Sequence, residues 1–196
     1  LVNHHSMGRD GVYMAPMKAT HVDDEGVLRL IWWKGNERLK QESVEVKMPA
    51  PAGEAAGPIA MLAPSFNMDR GVVVEGMLTL PEAGDSTRSG LYIECGANRG
   101  IAILLNSAGA AELGTITAEA TGFEVQKRAD RQMDYGRNPR FRLLLKSSML
   151  EFYLNDVLIE CFKMPLPSTG RVGLIGHRRE QQVQGYQAWY PRLLGK

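Results

Sequence analysis

Two cysteines in 196 residues, Cys95 and Cys161, are too few for a disulfide framework. No Cys-x-x-Cys pair and no Cys/His cluster at zinc spacing accompanies them, so no metal site is expected. Each cysteine ends an alternating run on its apolar side, Leu91-Ile93-Cys95 and Val157-Ile159-Cys161. Both are therefore expected as buried free thiols packing like small hydrophobes, with one disulfide between them left open. Long apolar runs are also missing: none approaches the ~20 residues that cross a bilayer as a helix, so no membrane partner is expected. A net charge of +1 excludes a global pull towards nucleic acid. Histidine is sparse: His4 and His5 adjoin near the chain start, and His21 and His177 stand alone. Nucleophile and cofactor signatures are lacking. There is no Gly-x-Ser-x-Gly, and the glycines of "GANRG" and "NSAGAAELG" read as hairpin turns rather than a phosphate loop. No cofactor is expected, and nothing assigns a compartment. The chain begins at Leu1 rather than Met, which leaves open a targeting segment or a domain upstream.

Helical periodicity is almost absent too. What fills the chain is short alternating runs punctuated by Gly, Pro, Asn and Asp, the pattern of an all-β fold. "APMKATHV", the turn "DDEG" and "VLRLIWW" predict a hairpin over Pro16–Val22 and Val27–Trp33. "PAPAGEAAGP", Pro49–Pro58, is a loop by composition. "GVVVEGMLTL", "SGLYIEC", "RGIAILLN", "AELGTITA", "GFEVQKR", "RFRLLLK", "MLEFYLN", "VLIECFKM", "GRVGLIG" and "VQGYQAWY" follow as strands. About a dozen strands are too many for one open sheet, so a two-sheet antiparallel β-sandwich is expected. Its type is the jelly roll of concanavalin A-like lectins and glucanases. Residues 1–15 read as an N-terminal arm or linker and 16–196 as the sandwich.

The last third predicts a register. A turn at Ser147-Ser148 pairs Leu145 with Leu150, Leu143 with Phe152 and Phe141 with Leu154. A two-residue turn at Asn155-Asp156 then sets Leu154 opposite Val157, Phe152 opposite Ile159 and Glu151 opposite Glu160. One face is wholly apolar, and the other carries Arg142, Lys146, Glu151, Tyr153 and Glu160. Two carboxylates face to face raise the question of a glycosidase pair, since a retaining enzyme sets its carboxyls ~5–5.5 Å apart. Arg142 and Lys146 beside them favour ion pairing over general acid work. No catalytic residue is therefore assigned. Glu151 and Glu160, with Glu75 and Glu94 on polar strand faces, stand as the alternative. The Glu-x-Asp-x-x-Glu run of sandwich glucanases does not occur.

In this hairpin Ser148, Glu151, Tyr153, Asn155 and Asp156, as "S-M-L-E-F-Y-L-N-D", resemble a signature of the C-terminal β-sandwich of glycoside hydrolase family 32. Those enzymes cleave sucrose and fructans, and there the motif reads roughly Asp-x-Ser-x-x-Glu-x-Phe-x-Asn-Asp/Gly. "PLPSTGRVGLIG" and "AWYP" fit the same closing strands, and "YMAPMKATHVDDEGVLRLIWWKGNERLK" looks like the linker and first strands after a catalytic propeller. Lys146 stands where the family has Asp. The family's Asn-Asp-Pro, Arg-Asp-Pro and Glu-Cys boxes belong to the propeller. Here Glu94-Cys95 occurs in a strand without the other two, and "GRDG", Gly8–Gly11, lacks the proline. The resemblance thus implies an accessory module, structural or carbohydrate-binding, packing on an upstream catalytic propeller. The alternatives are a stand-alone glycoside hydrolase and a free lectin.

Sugars stack on aromatic rings framed by polar groups. Trp33, Tyr153, Trp189 and Tyr190 are the expected carbohydrate-binding residues. Trp32 and Trp33 are adjacent on a strand, so one is expected inside and the other exposed or at an interface. The basic stretch "QKRADRQMDYGRNPRFR" is interleaved with Asp130 and Asp134, so it reads as a charged loop rather than a nucleic-acid site. The partners expected are carbohydrate, the propeller and a second copy in a homodimer.

Overall fold

The computed structural model describes residues 1–3, 5–8, 11–47, 58–129, 133–176 and 185–192. His4, His177, Arg9 and Asp10 of "GRDG", Asp130 and all but the last residue of Pro49–Pro58 lie outside them. In chain order the strands are β1 (His5–Gly8), β2 (Gly11–Met14), β3 (Lys18–Val22), β4 (Leu28–Trp32), β5 (Lys40–Val44) and β6 (Ile59–Met61). Next come β7 (Phe66–Asn67), β8 (Val72–Met77), β9 (Ser89–Glu94), β10 (Arg99–Leu105), β11 (Ala111–Thr117) and β12 (Glu124–Arg128). The last are β13 (Arg140–Lys146), β14 (Met149–Leu154), β15 (Val157–Lys163), β16 (Thr169–Gly170), β17 (Val172–Ile175) and β18 (Gln187–Pro191). A 3-10 helix, Lys34–Leu39, separates β4 from β5.

The strands form the expected sandwich. One sheet has the order β3-β4-β15-β14-β13-β8-β18-β5, the other β12-β11-β10-β9-β17-β6. Alternation dictates the core. Val72, Val74, Phe141, Leu143, Leu145, Leu150, Phe152 and Leu154 of the large sheet meet Leu91, Ile93, Ile101, Ile103, Leu105, Val172 and Leu174 of the small one. Each is buried, and each large apolar side chain contributes about 1.5–3 kcal/mol, so the register is strongly held.

The β13–β14 register is the one the sequence predicts: Leu145 opposite Leu150, Leu143 opposite Phe152, Phe141 opposite Leu154. Asn155 and Asp156 both take positive φ, 47° and 67°, as a primed hairpin turn requires. Beyond it the expectation fails by one residue. Leu154 meets Val157 and Tyr153 meets Leu158, but a bulge at Ile159 then sets Phe152 opposite Glu160 and Glu151 opposite Cys161. An extra residue in one strand exchanges the faces of everything after it. Glu160 therefore points into the sandwich, and Cys161 shares the outer face with Glu151, which corrects both assignments. Both cysteines are free thiols, and Cys95 packs on the core as expected.

The outer face of the large sheet is not open to solvent. β4 is held to β15 only near its end, through Ile31–Val157 and the bond from Trp32 N–H to the Asp156 carbonyl. The β3–β4 hairpin therefore curls over the sheet, and β1 lies against β14. Ala15 packs there with Val73, Leu144 and Met149.

Candidate functional site

Two places on this scaffold gather polar groups. The first is the covered outer face. Lys18 and Glu151 are 1% and 0% exposed and form an ion pair, although β3 and β14 are not neighbours in the sheet. The Lys18 ammonium also donates to the Pro16 carbonyl at 2.8 Å. Tyr153 donates its hydroxyl to Glu151 Oε2 at 2.6 Å. Its ring meets Trp32 edge-on, with centroids 5.4 Å apart. Burial, reinforced by the adjacent Glu151 carboxylate, pushes the Tyr153 phenol far up from its usual range, so it serves as a donor.

Across β13, Glu75 accepts from Lys40 at 2.6 Å, from Arg140 at 3.3 Å and from Arg142 Nε. Arg142 also donates to Asp156 at 2.6 Å and lies 4.2 Å over the Trp32 ring. Trp32 Nε1 and Lys40 both donate to Glu37. Burial opposes ionisation of Glu37, but those bonds outweigh it and hold the carboxyl below its usual range. Glu37, Glu75, Glu151 and Asp156 on this face are each tied to a cation, so the layer is built to hold the β3–β4 hairpin and the 3-10 helix down.

The four candidate carboxylates do not converge. Glu75 and Glu151 share the outer face but are separated by β13. Glu160 is buried between the sheets and pairs with Lys127 of β12 at 2.9 Å. Glu94 sits on the small sheet, where hydrogen bonds from Arg171 hold its carboxyl below its ordinary pKa. The facing glutamate pair of the predicted hairpin is thus absent.

The expected aromatic platform is not assembled either. Tyr153 is fully buried, which corrects its place among the sugar-facing residues. Trp189 and Tyr190 point to opposite faces of β18. Trp189 lies under the Lys40 ammonium at 4.4 Å, and Tyr190 packs on the core beneath the Arg70 guanidinium at 4.1 Å. Trp33 is 39% exposed while Trp32 is buried, the division expected of that adjacent pair.

The second place is a cleft of about 670 Å³ at one end of the sandwich. Three loops wall it: the one after β8 (Leu80–Ala83), the β10–β11 turn (Ser107–Gly109) and the one before β13 (Met133–Arg137). Two of them are held by a polar residue of their own. Asn106 Oδ1 accepts from the Ala108 and Ala110 amides, at 3.0 and 2.9 Å, and Asp134 Oδ1 from Gly136 at 2.8 Å. Asn155 of the predicted turn donates to the Tyr135 carbonyl at 3.1 Å, propping the third loop from behind. The Leu80 amide donates to the Arg137 carbonyl at 2.8 Å, and Glu82 pairs with Arg137 at 2.8 Å. Tyr135 lies beneath, and burial pushes its phenol up to about 12, so it is neutral. The sequence reads the second of these segments only as a turn and the third only as a charged loop, and the first begins at the end of a predicted strand. Their convergence follows from strand direction, since all three lie at the same end of antiparallel strands.

No protein-family model matches the chain, and a search of curated proteins finds no match. Solved structures do match its fold. A glycoside hydrolase family 32 structure from Bifidobacterium adolescentis is 16% identical, with a TM-score of 0.56 over 94% of this chain and 26% of that one. A family 32 beta-fructofuranosidase from Bombyx mori is 12% identical, with a TM-score of 0.56 over 93% of this chain and 34% of that one. An exo-inulinase from Aspergillus awamori is 8% identical, with a TM-score of 0.50 over 91% of this chain and 35% of that one. The chain thus has a β-sandwich fold like a part of those proteins, and it spans about a quarter to a third of their length.

Proposed function

We propose that this chain is an accessory β-sandwich module of a carbohydrate-active protein, which binds carbohydrate and packs on a catalytic domain outside these residues. One observation carries the reading. More than nine-tenths of this chain aligns with about a quarter to a third of much longer glycoside hydrolase chains, so the likeness is to a part and not to a whole. The failure of Glu75, Glu94, Glu151 and Glu160 to converge supports it, because glycoside hydrolysis needs two carboxyls flanking one bond. In this reading residues 1–15 are an arm that folds back on the sandwich of 16–196.

Calorimetric titration with inulin, levan, fructo-oligosaccharides and malto-oligosaccharides tests the binding. Release of reducing sugar from sucrose, inulin and levan tests hydrolysis. The expected result is saturable binding without turnover. Turnover that Glu151→Gln abolishes would overturn the accessory reading, and absence of any binding would remove its carbohydrate half.

A further inference from the structure

We infer that the saccharide enters the loop-end cleft rather than docking on the aromatic residues of the sheets, and that it is a neutral polyol held through paired hydroxyls. This rests on the carbohydrate reading above. The cleft falls within the ~300–1,000 Å³ usual for small-molecule sites. Its charged rim is Glu82, Asp134 and Arg137, two carboxylates against one guanidinium. That excess of negative charge disfavours phosphate or a sugar acid. Neighbouring donors and acceptors suit vicinal hydroxyls, since each hydroxyl both donates and accepts.

Glu82 and Arg137 stand on a ridge. A second hollow of about 260 Å³ opens on its far side, lined again by Leu80–Ala83 and Arg137 and by Asp85 and Arg88. A saccharide segment crossing the ridge would pass both charged groups. Pro81 and Met133, both half-buried, supply apolar surface for the carbon face of a sugar ring.

The walls are preformed, which lowers the ordering cost of binding. Beyond the two self-held turns, the loops lock together at Gly109, which has φ +76°. A Cβ there would collide with the Met133 carbonyl, so only glycine lets the β10–β11 turn close on the third loop. By contrast, Trp189 and Tyr190 lie under cations on opposite faces of one strand.

The test is calorimetric titration of the whole chain with fructo-oligosaccharides and malto-oligosaccharides, alongside amide chemical-shift mapping. Arg137→Ala removes a charged donor, and Ala108→Trp fills the cleft from an exposed position. Each is expected to weaken binding about tenfold or more, the scale of a hydrogen bond to a charged group. Trp33→Ala should bind as the parent does, and perturbed amides should cluster in the three loops. Thermal melts matching the parent's establish that the variants fold. If the parent binds and both cleft variants bind equally well, this inference falls while the carbohydrate reading stands. If no saccharide shifts any amide of the parent, that reading falls and takes this site with it.

Discussion

Lys18 and Glu151, 133 residues apart in sequence, meet as an ion pair with almost no exposure on the face of the sheet that points away from the core. The contact closes the β3–β4 hairpin over β14, and it makes that surface a second interior. Taking two charges out of water is costly, so such a pair is stabilising only while both members and their hydrogen bonds are in place.

Lys18→Met should therefore destabilise the protein by about 3–5 kcal/mol, the usual cost of leaving one charge of a buried pair behind. Combining it with Glu151→Leu should recover part of that loss. Urea melts of the two single variants and the double variant measure it. A Lys18→Met cost below ~1 kcal/mol, the range of exposed pairs, would mean that this face is open to water.

Phe152→Ala should cost about 3–5 kcal/mol, as for a large core side chain. Tyr153→Ala, on the opposite face, should cost a similar amount because Tyr153 is equally buried. Tyr153→Phe isolates the hydroxyl and should cost about 1.5–3 kcal/mol, for a hydrogen bond to a charged group. A Tyr153→Ala variant as stable as the parent would contradict the covered outer face.

Glu94 governs a defined pH response. Its carboxyl is held below its ordinary value of 4.5, first by the hydrogen bonds from Arg171 and then by that residue's charge. A depressed folded-state pKa means the unfolded chain takes up the proton first. The stabilisation is complete above pH 4.5 and is lost as pH falls through the lower folded value. Glu94→Gln should lower stability at pH 7, where that stabilisation is in full, and change it little at the acid end, so that the acid limb of a melting-temperature profile flattens. A profile unchanged in slope, or an NMR titration of Glu94 above 4.5, would count against the pairing.

Glu151 and Glu160 should behave independently. They lie on opposite faces of the sheet, one beside Lys18 and the other beside Lys127. In a double-mutant cycle of Glu151→Gln and Glu160→Gln, the coupling should stay within about 0.5 kcal/mol. Coupling well beyond that would restore the face-to-face register and, with it, a carboxylate pair.

The sequence is most legible where a repeating pattern has one physical solution. The apolar residues of β13 and β14 alternate without interruption, and any register but the observed one would bury polar groups in the core. Asn155-Asp156 is legible because few residue pairs tolerate two positive φ values. Legibility stops at Ile159. Leu158, Ile159 and Glu160 fit a regular strand as well as a bulged one, so nothing local marks the extra residue. The cleft was illegible for another reason: loops that meet in space owe their meeting to strand direction, and each alone reads as a turn.

The sequence by itself determined the all-β class, the two-sheet sandwich, the β13–β14 register and the Asn155-Asp156 turn, because period-two burial and backbone sterics act between near neighbours. Tertiary structure alone decided that the outer face is buried, that Glu151 is answered by Lys18 and Glu160 by Lys127, and that three turns enclose a cleft. Those outcomes depend on how far the β3–β4 hairpin curls and where a strand bulges. Both are set by packing summed over the whole molecule.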